Sequence, residues 1–92
     1  MKYRIKHRII KKIKIVENED GHKYSQLVAE MQYFGQKKVL WGWWRSIKVD
    51  KFDKFGNYKL RIYFQYKNDC REFIKQYHYL HYGMGVKYEI VD

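Results

Sequence analysis

The chain has 92 residues, of which 46% are hydrophobic and 20% aromatic, and its formal net charge is +10. This composition predicts one small basic domain spanning residues 1–92 and argues against disorder despite the high charge. The single cysteine excludes an intrachain disulfide, and no Cys/His spacing typical of a zinc site occurs. Because no apolar run has the length of a signal peptide or a membrane span, we expect a cytoplasmic protein without a membrane partner.

The first predicted element is a strand over residues 3–16, because apolar and basic side chains alternate along it. Ile5, Ile9 and Ile13 also fit helical spacing, so a basic amphipathic helix is the alternative. The β-branched side chains favour the strand, at least from Ile9 onward. Asp20 and Gly21 then predict a hairpin turn into the next element.

Two interpretations fit residues 24–34. A helical stripe could end at Gly35, whereas alternation of Leu27, Ala29, Met31 and Tyr33 fits a strand. We prefer the strand, because pairing with the first strand explains the short turn between them.

Residues 38–49 predict a third strand. Val39, Trp41, Trp43, Ile47 and Val49 would share its core face, opposite Lys38, Leu40, Trp44 and Lys48. A bulge at Gly42 would shift this pairing by one residue and expose Trp43 instead of Trp44. Residues 58–66 predict a fourth strand, in which buried Leu60, Ile62 and Phe64 alternate with Lys59, Arg61 and Tyr63.

The clearest helical pattern covers residues 68–82. Asp69 is expected to cap this helix with Glu72 three residues later, and Gly83 is expected to end it. Its predicted apolar stripe consists of Cys70, Phe73, Ile74, Tyr77 and Leu80. With a short last strand over residues 86–91, the predicted fold is α+β: an antiparallel sheet of four to five strands, in the order β-β-β-β-α-β, with one helix on one face.

Residues 38–82 resemble many small uncharacterised proteins of AT-rich bacteria and their phages. The resemblance consists of a Trp-rich strand, a hairpin into an aliphatic strand, and a helix that reads CREFIKQY. It implies no shared activity, so no functional residues follow from it.

One sheet face is expected to be basic, because a single helix covers only one face. If the helix packs on the aliphatic side, the other face carries Lys12, Lys14, Lys38, Trp44, Lys48, Lys59, Arg61 and Tyr63. Trp44 and Tyr63 would stack on bases, and the basic residues would neutralise phosphates, with Lys12 and Lys14 extending the patch. The alternative is an ordinary solvated face, on which lysine is common.

Other reactive residues indicate no catalytic centre. His78 and His81 lie three residues apart, but no carboxylate or thiol pattern completes a metal site, so both are interpreted as structural. Cys70 lies on the apolar stripe and is therefore predicted to be a core residue. Since the chain contains no P-loop, GxSxG or GxGxxG motif, we expect neither an enzyme nor a cofactor.

The sequence therefore predicts a non-enzymatic module that binds an anionic partner, nucleic acid or a nucleotide. The alternative is a small phage-type protein that inhibits a host defence factor by protein–protein contact in the host cytoplasm, since exposed aromatic side chains and arginine are typical of interface hot spots. A structural protein that assembles through β-edge pairing is a third interpretation. The partner's identity and the oligomeric state stay open.

Overall fold

The computed structural model describes residues 1–91 and has an α+β fold, which confirms the predicted class. Its elements are strands β1 (Lys2–Glu17) and β2 (Lys23–Lys38), a 3-10 turn (Leu40–Gly42), strands β3 (Trp44–Ser46), β4 (Lys48–Asp53) and β5 (Gly56–Arg61), helix α1 (Lys67–Tyr82) and strand β6 (Glu89–Val91). The main sheet has the order β3-β2-β1-β6, with β6 parallel to β1 and the other pairs antiparallel. Strands β4 and β5 form a separate two-stranded sheet.

A long ribbon of β1 and β2 dominates the molecule, and the strand interpretation of both segments is confirmed. The two strands pair continuously from Tyr3 opposite Lys37 to Glu17 opposite Lys23. At the turn, the Asn18 side-chain oxygen accepts hydrogen bonds from the backbone N–H groups of Asp20 (3.1 Å) and His22 (2.9 Å). The ribbon accounts for the long dimension of the molecule, which measures 59 Å.

Gly35 does not end a helix, contrary to the helical alternative for residues 24–34. It lies inside β2 and is buried against the helix. A Cβ atom at this position would lie 3.0 Å from Cγ1 of Ile74 and 3.2 Å from Cδ1 of Ile47. Glycine is therefore needed here for the close approach of helix and sheet.

The predicted strand over residues 38–49 is wrong, because the chain reverses within it. Trp41 (φ 74°) and Gly42 (φ 76°) both have left-handed backbone conformations, and the resulting turn returns β3 onto the edge of β2. Trp41 and Trp43, predicted to face the core, are 93% and 74% exposed at this turn. The alternation of apolar and polar residues could not indicate the strained backbone conformation of Trp41.

The second half of the predicted fourth strand, residues 62–66, is not a continuous strand in the structure. Strand β5 ends at Arg61, and Phe64 then exchanges two backbone hydrogen bonds with Tyr33 on β2 (2.7 and 2.8 Å). Leu60, predicted to be buried, is 45% exposed because β5 pairs with β4 in a hairpin away from the helix. Ile62 and Phe64 are half-buried.

Helix α1 is confirmed, but its predicted cap and part of its stripe are wrong. The N-cap residue is Tyr66, which makes no side-chain capping bond, and Asp69 lies within the first turn. The buried positions are Cys70, Ile74 and His78, spaced four residues apart, which leaves Leu80 outside the stripe and 84% exposed. Gly83 (φ 82°) ends the helix as predicted.

The core is small and lies where the helix crosses the first residues of β1. Tyr3, Ile47, Cys70 and Ile74 form its buried cluster. Tyr3 and the buried His78 are joined by a 2.8 Å hydrogen bond between the hydroxyl group and Nδ1, while His78 Nε2 lies 2.7 Å from the Val86 carbonyl oxygen. Because that oxygen can only accept, Nε2 donates to it, and in a neutral ring Nδ1 accepts from Tyr3. This chain of bonds ties both ends of the chain to the helix.

Replacing His78 with leucine should lower the free energy of unfolding by about 1–3 kcal/mol, because the buried Tyr3 hydroxyl would lose its partner. A urea titration measures this change. The double variant Tyr3→Phe/His78→Leu should recover part of the loss, since it removes both polar groups. A double variant whose loss equals the sum of the two single losses would show that the bond contributes nothing.

Cys70 is confirmed as a core residue. Its side chain is fully buried, and burial raises the pKa of the thiol to about 11. Because the thiolate is the reactive form, we expect no reaction with an aromatic disulfide reagent at pH 8 in the native protein. One equivalent should react once denaturant is added, and rapid native-state labelling would contradict the burial.

Candidate anion-binding surface

An open groove of about 740 Å³ runs along the outer edge of β3, where the β4–β5 hairpin leaves the main sheet. Strand β3 contributes Trp44 and Arg45, and the base of the hairpin contributes Lys48, Lys59 and Arg61. The pairing of Lys48 with Arg61 across the hairpin sets these two cations side by side. The groove therefore unites four of the predicted site residues: Trp44, Lys48, Lys59 and Arg61.

The charged residues that line the groove are all basic. Its lining includes five basic residues, Lys37, Arg45, Lys48, Lys59 and Arg61, and no acidic residue. Asp50, which pairs with Lys59 across the hairpin, is the nearest acidic residue along these strands and does not line the groove. A concave surface that is lined by positive charges alone concentrates the positive potential and attracts anions.

A second basic surface adjoins the groove on the sheet face opposite the helix, formed by the even-numbered residues of β1. We call it the basic face. The guanidinium of Arg4 lies 4.4 Å from the Trp44 ring centroid, and that of Arg8 lies 3.4 Å from the Tyr63 ring centroid. Both arginines also donate to glutamine side chains of β2, at 2.6 Å for Arg4 and 3.1 Å for Arg8. Trp44 thus connects the groove to the basic face.

Arg61 has a similar arrangement on the same side of the sheet. Its guanidinium lies 4.6 Å from the Phe34 ring centroid and donates a 3.2 Å hydrogen bond to the Tyr63 hydroxyl group. Tyr63 in turn meets Phe34 edge to face at 5.6 Å. These contacts hold Arg61 in place, so its charge is presented to the groove with little conformational freedom to lose on binding.

The remaining predicted site residues lie farther from the groove. Lys38 is exposed at the end of β2 and pairs with Trp44. Lys12 and Lys14 are exposed on the basic face, but Lys12 lies about 27 Å along β1 from Arg4. Lys12 also forms a 2.7 Å ion pair with Glu30. These two lysines extend the basic face rather than line the groove.

The preferred sequence interpretation placed Trp41 and Trp43 in the core and so did not predict the aromatic tip beside the groove. Leu40, Trp41 and Trp43 are 84%, 93% and 74% exposed, and their neighbours Val39 and Trp44 line the groove. The alternative placement of a bulge at Gly42 is the signal that points to an exposed Trp43. The alternation along the first strand predicts a basic side that includes Arg4 and Arg8, but these arginines were not among the predicted site residues.

Within residues 1–91, no three His, Cys, Asp or Glu side chains lie close enough together to hold a metal ion. His81 donates a local hydrogen bond of 2.9 Å from Nδ1 to the Tyr77 carbonyl oxygen, four residues earlier. No helix over the same residues is long and apolar enough to cross a bilayer.

Comparisons of this chain with protein-family models, curated proteins and solved structures find no match.

Proposed function

We propose that the groove and the basic face bind single-stranded nucleic acid. The observation that carries this proposal is the lining of the groove, which has five basic residues and no acidic one beside an indole ring. Phosphate neutralisation by lysine and arginine supplies most of the sequence-independent affinity for nucleic acids. A formal net charge of +10 would attract such a strand at long range.

In this proposal the cations and the aromatic rings have different tasks. Lys48, Lys59 and Arg61 at the base of the hairpin would contact phosphates. Bases would stack on Trp43 and on the ring face of Trp44 that Arg4 does not cover. Since stacking on side chains needs unpaired bases, the exposed tip favours a single strand over a duplex.

The test is a tryptophan fluorescence titration with single-stranded DNA, single-stranded RNA and mononucleotides, at low and at moderate salt. All three tryptophans lie at the tip or in the groove, so their emission reports on this surface without a label. We expect quenching by both oligonucleotides that weakens steeply with salt, and much weaker quenching by mononucleotides. Unchanged emission with every polyanion at low salt would contradict the proposal.

A second candidate is inhibition of a host protein by direct contact, and the strained tip favours it. Trp41 is almost fully exposed and keeps a left-handed backbone conformation, which costs about 1–3 kcal/mol and often marks functional loops. Tryptophan and arginine also dominate protein–protein hot spots. Such binding should depend less on salt than phosphate binding does, so a salt series on any captured partner separates the two candidates.

A further inference from the structure

The outer part of the β1–β2 ribbon, residues 9–31, extends beyond the helix, and we call it the arm. The helix covers the ribbon only as far as Ile5 and Tyr33, which pack against the core. On the same face, the arm exposes Ile9 (60%), Ile13 (74%), Ile15 (70%), Leu27 (65%) and Met31 (42%). Because Ile9 pairs with Met31 and Ile13 with Leu27, these side chains form one continuous apolar face.

An isolated two-stranded ribbon is at best marginally stable in water, since it has no second layer against which to bury its apolar face. The arm is such a ribbon over its whole length, because β3 pairs with β2 only at residues 36–38 and β6 pairs with β1 only at residues 2–4. The sequence nevertheless places isoleucine and leucine along one side of it. A partner surface on that side would supply the missing layer.

The overall dimensions show that the chain as a whole is more extended than a compact domain of its length. The radius of gyration is 17.9 Å, against about 12 Å for a compact domain of this length. The accessible surface is 7647 Å², whereas a compact monomer of 11.6 kDa would expose about 5,800 Å². The excess surpasses the ~800 Å² that each partner buries in a standard stable interface.

The two faces of the arm differ in charge, and this difference indicates what kind of partner the apolar face would bind. Lys12 and Lys14 lie on the basic face, whereas Lys11 is the one charged residue among positions 9–15 of β1 on the apolar face. A polyanion would therefore bind the other side. The apolar face is flat and rich in β-branched residues, which suits the packing of sheet on sheet.

We propose that the apolar face of the arm binds the same face of a second copy of this chain, in a two-fold symmetric dimer. A two-fold axis lets one patch serve both subunits, and each arm then provides the second layer that the other lacks. Face-to-face packing also turns both basic faces outward and away from each other, which limits repulsion between two chains of net charge +10. This inference does not depend on the proposed function.

Sedimentation equilibrium over a range of protein concentrations tests the proposal. We expect a mass twice that of the 11.6 kDa chain at micromolar concentrations and above. Ile13→Lys should raise the dissociation constant more than about tenfold, because it would enclose an unpaired charge in the interface. Ile13 is exposed in the single chain, so this change should leave the monomer folded, as circular dichroism would verify.

Gln26→Lys is the matched control, since it adds the same charge on the opposite face of the arm, where Gln26 pairs with Lys14. It should leave the mass at that of a dimer. A wild-type chain that stays monomeric at all concentrations would overturn the proposal and would indicate that the apolar face binds a different protein. A dimer that resists Ile13→Lys, or that Gln26→Lys disrupts equally, would also overturn it and point to pairing through the strand edges.

Discussion

Replacing Ile74 with alanine is expected to lower the free energy of unfolding by about 2–5 kcal/mol. Ile74 is fully buried, packs with Tyr3, Ile47 and Cys70, and contacts the backbone of β2 at Gly35. The whole domain should be stable by only about 5–14 kcal/mol at this length. Loss of this one side chain would therefore remove a large part of the stability, and a urea or thermal denaturation curve would measure it.

The matched control is Leu80→Ala, on the same helix. Leu80 is 84% exposed, so its replacement should change stability by no more than about 0.5 kcal/mol. Equal losses for the two variants would contradict the observed orientation of the helix, in which Cys70, Ile74 and His78 face the sheet.

The second large effect is expected on the affinity for single-stranded nucleic acid. Trp43→Ala should weaken binding to a single-stranded oligonucleotide by about 5- to 150-fold, since stacking of one base on an aromatic ring contributes about 1–3 kcal/mol. Because Trp43 is 74% exposed, the fold should keep its stability. Fluorescence anisotropy of a labelled oligonucleotide measures the affinity without relying on tryptophan emission. Trp44→Ala should also weaken binding, but it additionally removes the contact with Arg4.

Phe55→Ala provides the comparison for an exposed aromatic residue away from the groove. Phe55 is 87% exposed in the turn of the β4–β5 hairpin and does not line the groove. We expect its replacement to leave the affinity unchanged. A loss as large as that of Trp43→Ala would indicate non-specific contact through any exposed ring.

The fold class followed from local patterns, whereas the layout of the sheet did not. Alternating residues predict β1 and β2, and the apolar spacing up to Gly83 predicts α1. The reversal at Trp41 and Gly42 was missed, because tryptophan rarely adopts a positive φ and the flanking residues continue the alternation. The burial of Gly35 was missed because it depends on the approach of the helix, which no local pattern encodes.

Several residues of the candidate site were predicted from the sequence, but the shape of the groove was not. Alternation along two segments is enough to place Trp44, Lys48, Lys59 and Arg61 opposite the aliphatic residues. Their meeting in one groove depends on how the β4–β5 hairpin leaves the sheet, which is a tertiary feature. The arginine–aromatic contacts at Trp44, Tyr63 and Phe34 join residues distant in sequence, so a single sequence could not reveal them.

The salt dependence of oligonucleotide binding tests the central claim most directly. For a single strand, the slope of log affinity against log salt is about −0.7 for each neutralised phosphate. If Lys48 and Arg61 each contact a phosphate, Lys48→Gln/Arg61→Gln should weaken binding and make this slope shallower by about 1.4. Lys51→Gln/Lys54→Gln, which removes the same charge outside the groove, should keep the wild-type slope. Equal slopes for wild type and the groove variant, or no binding at low salt, would contradict a groove that binds phosphates.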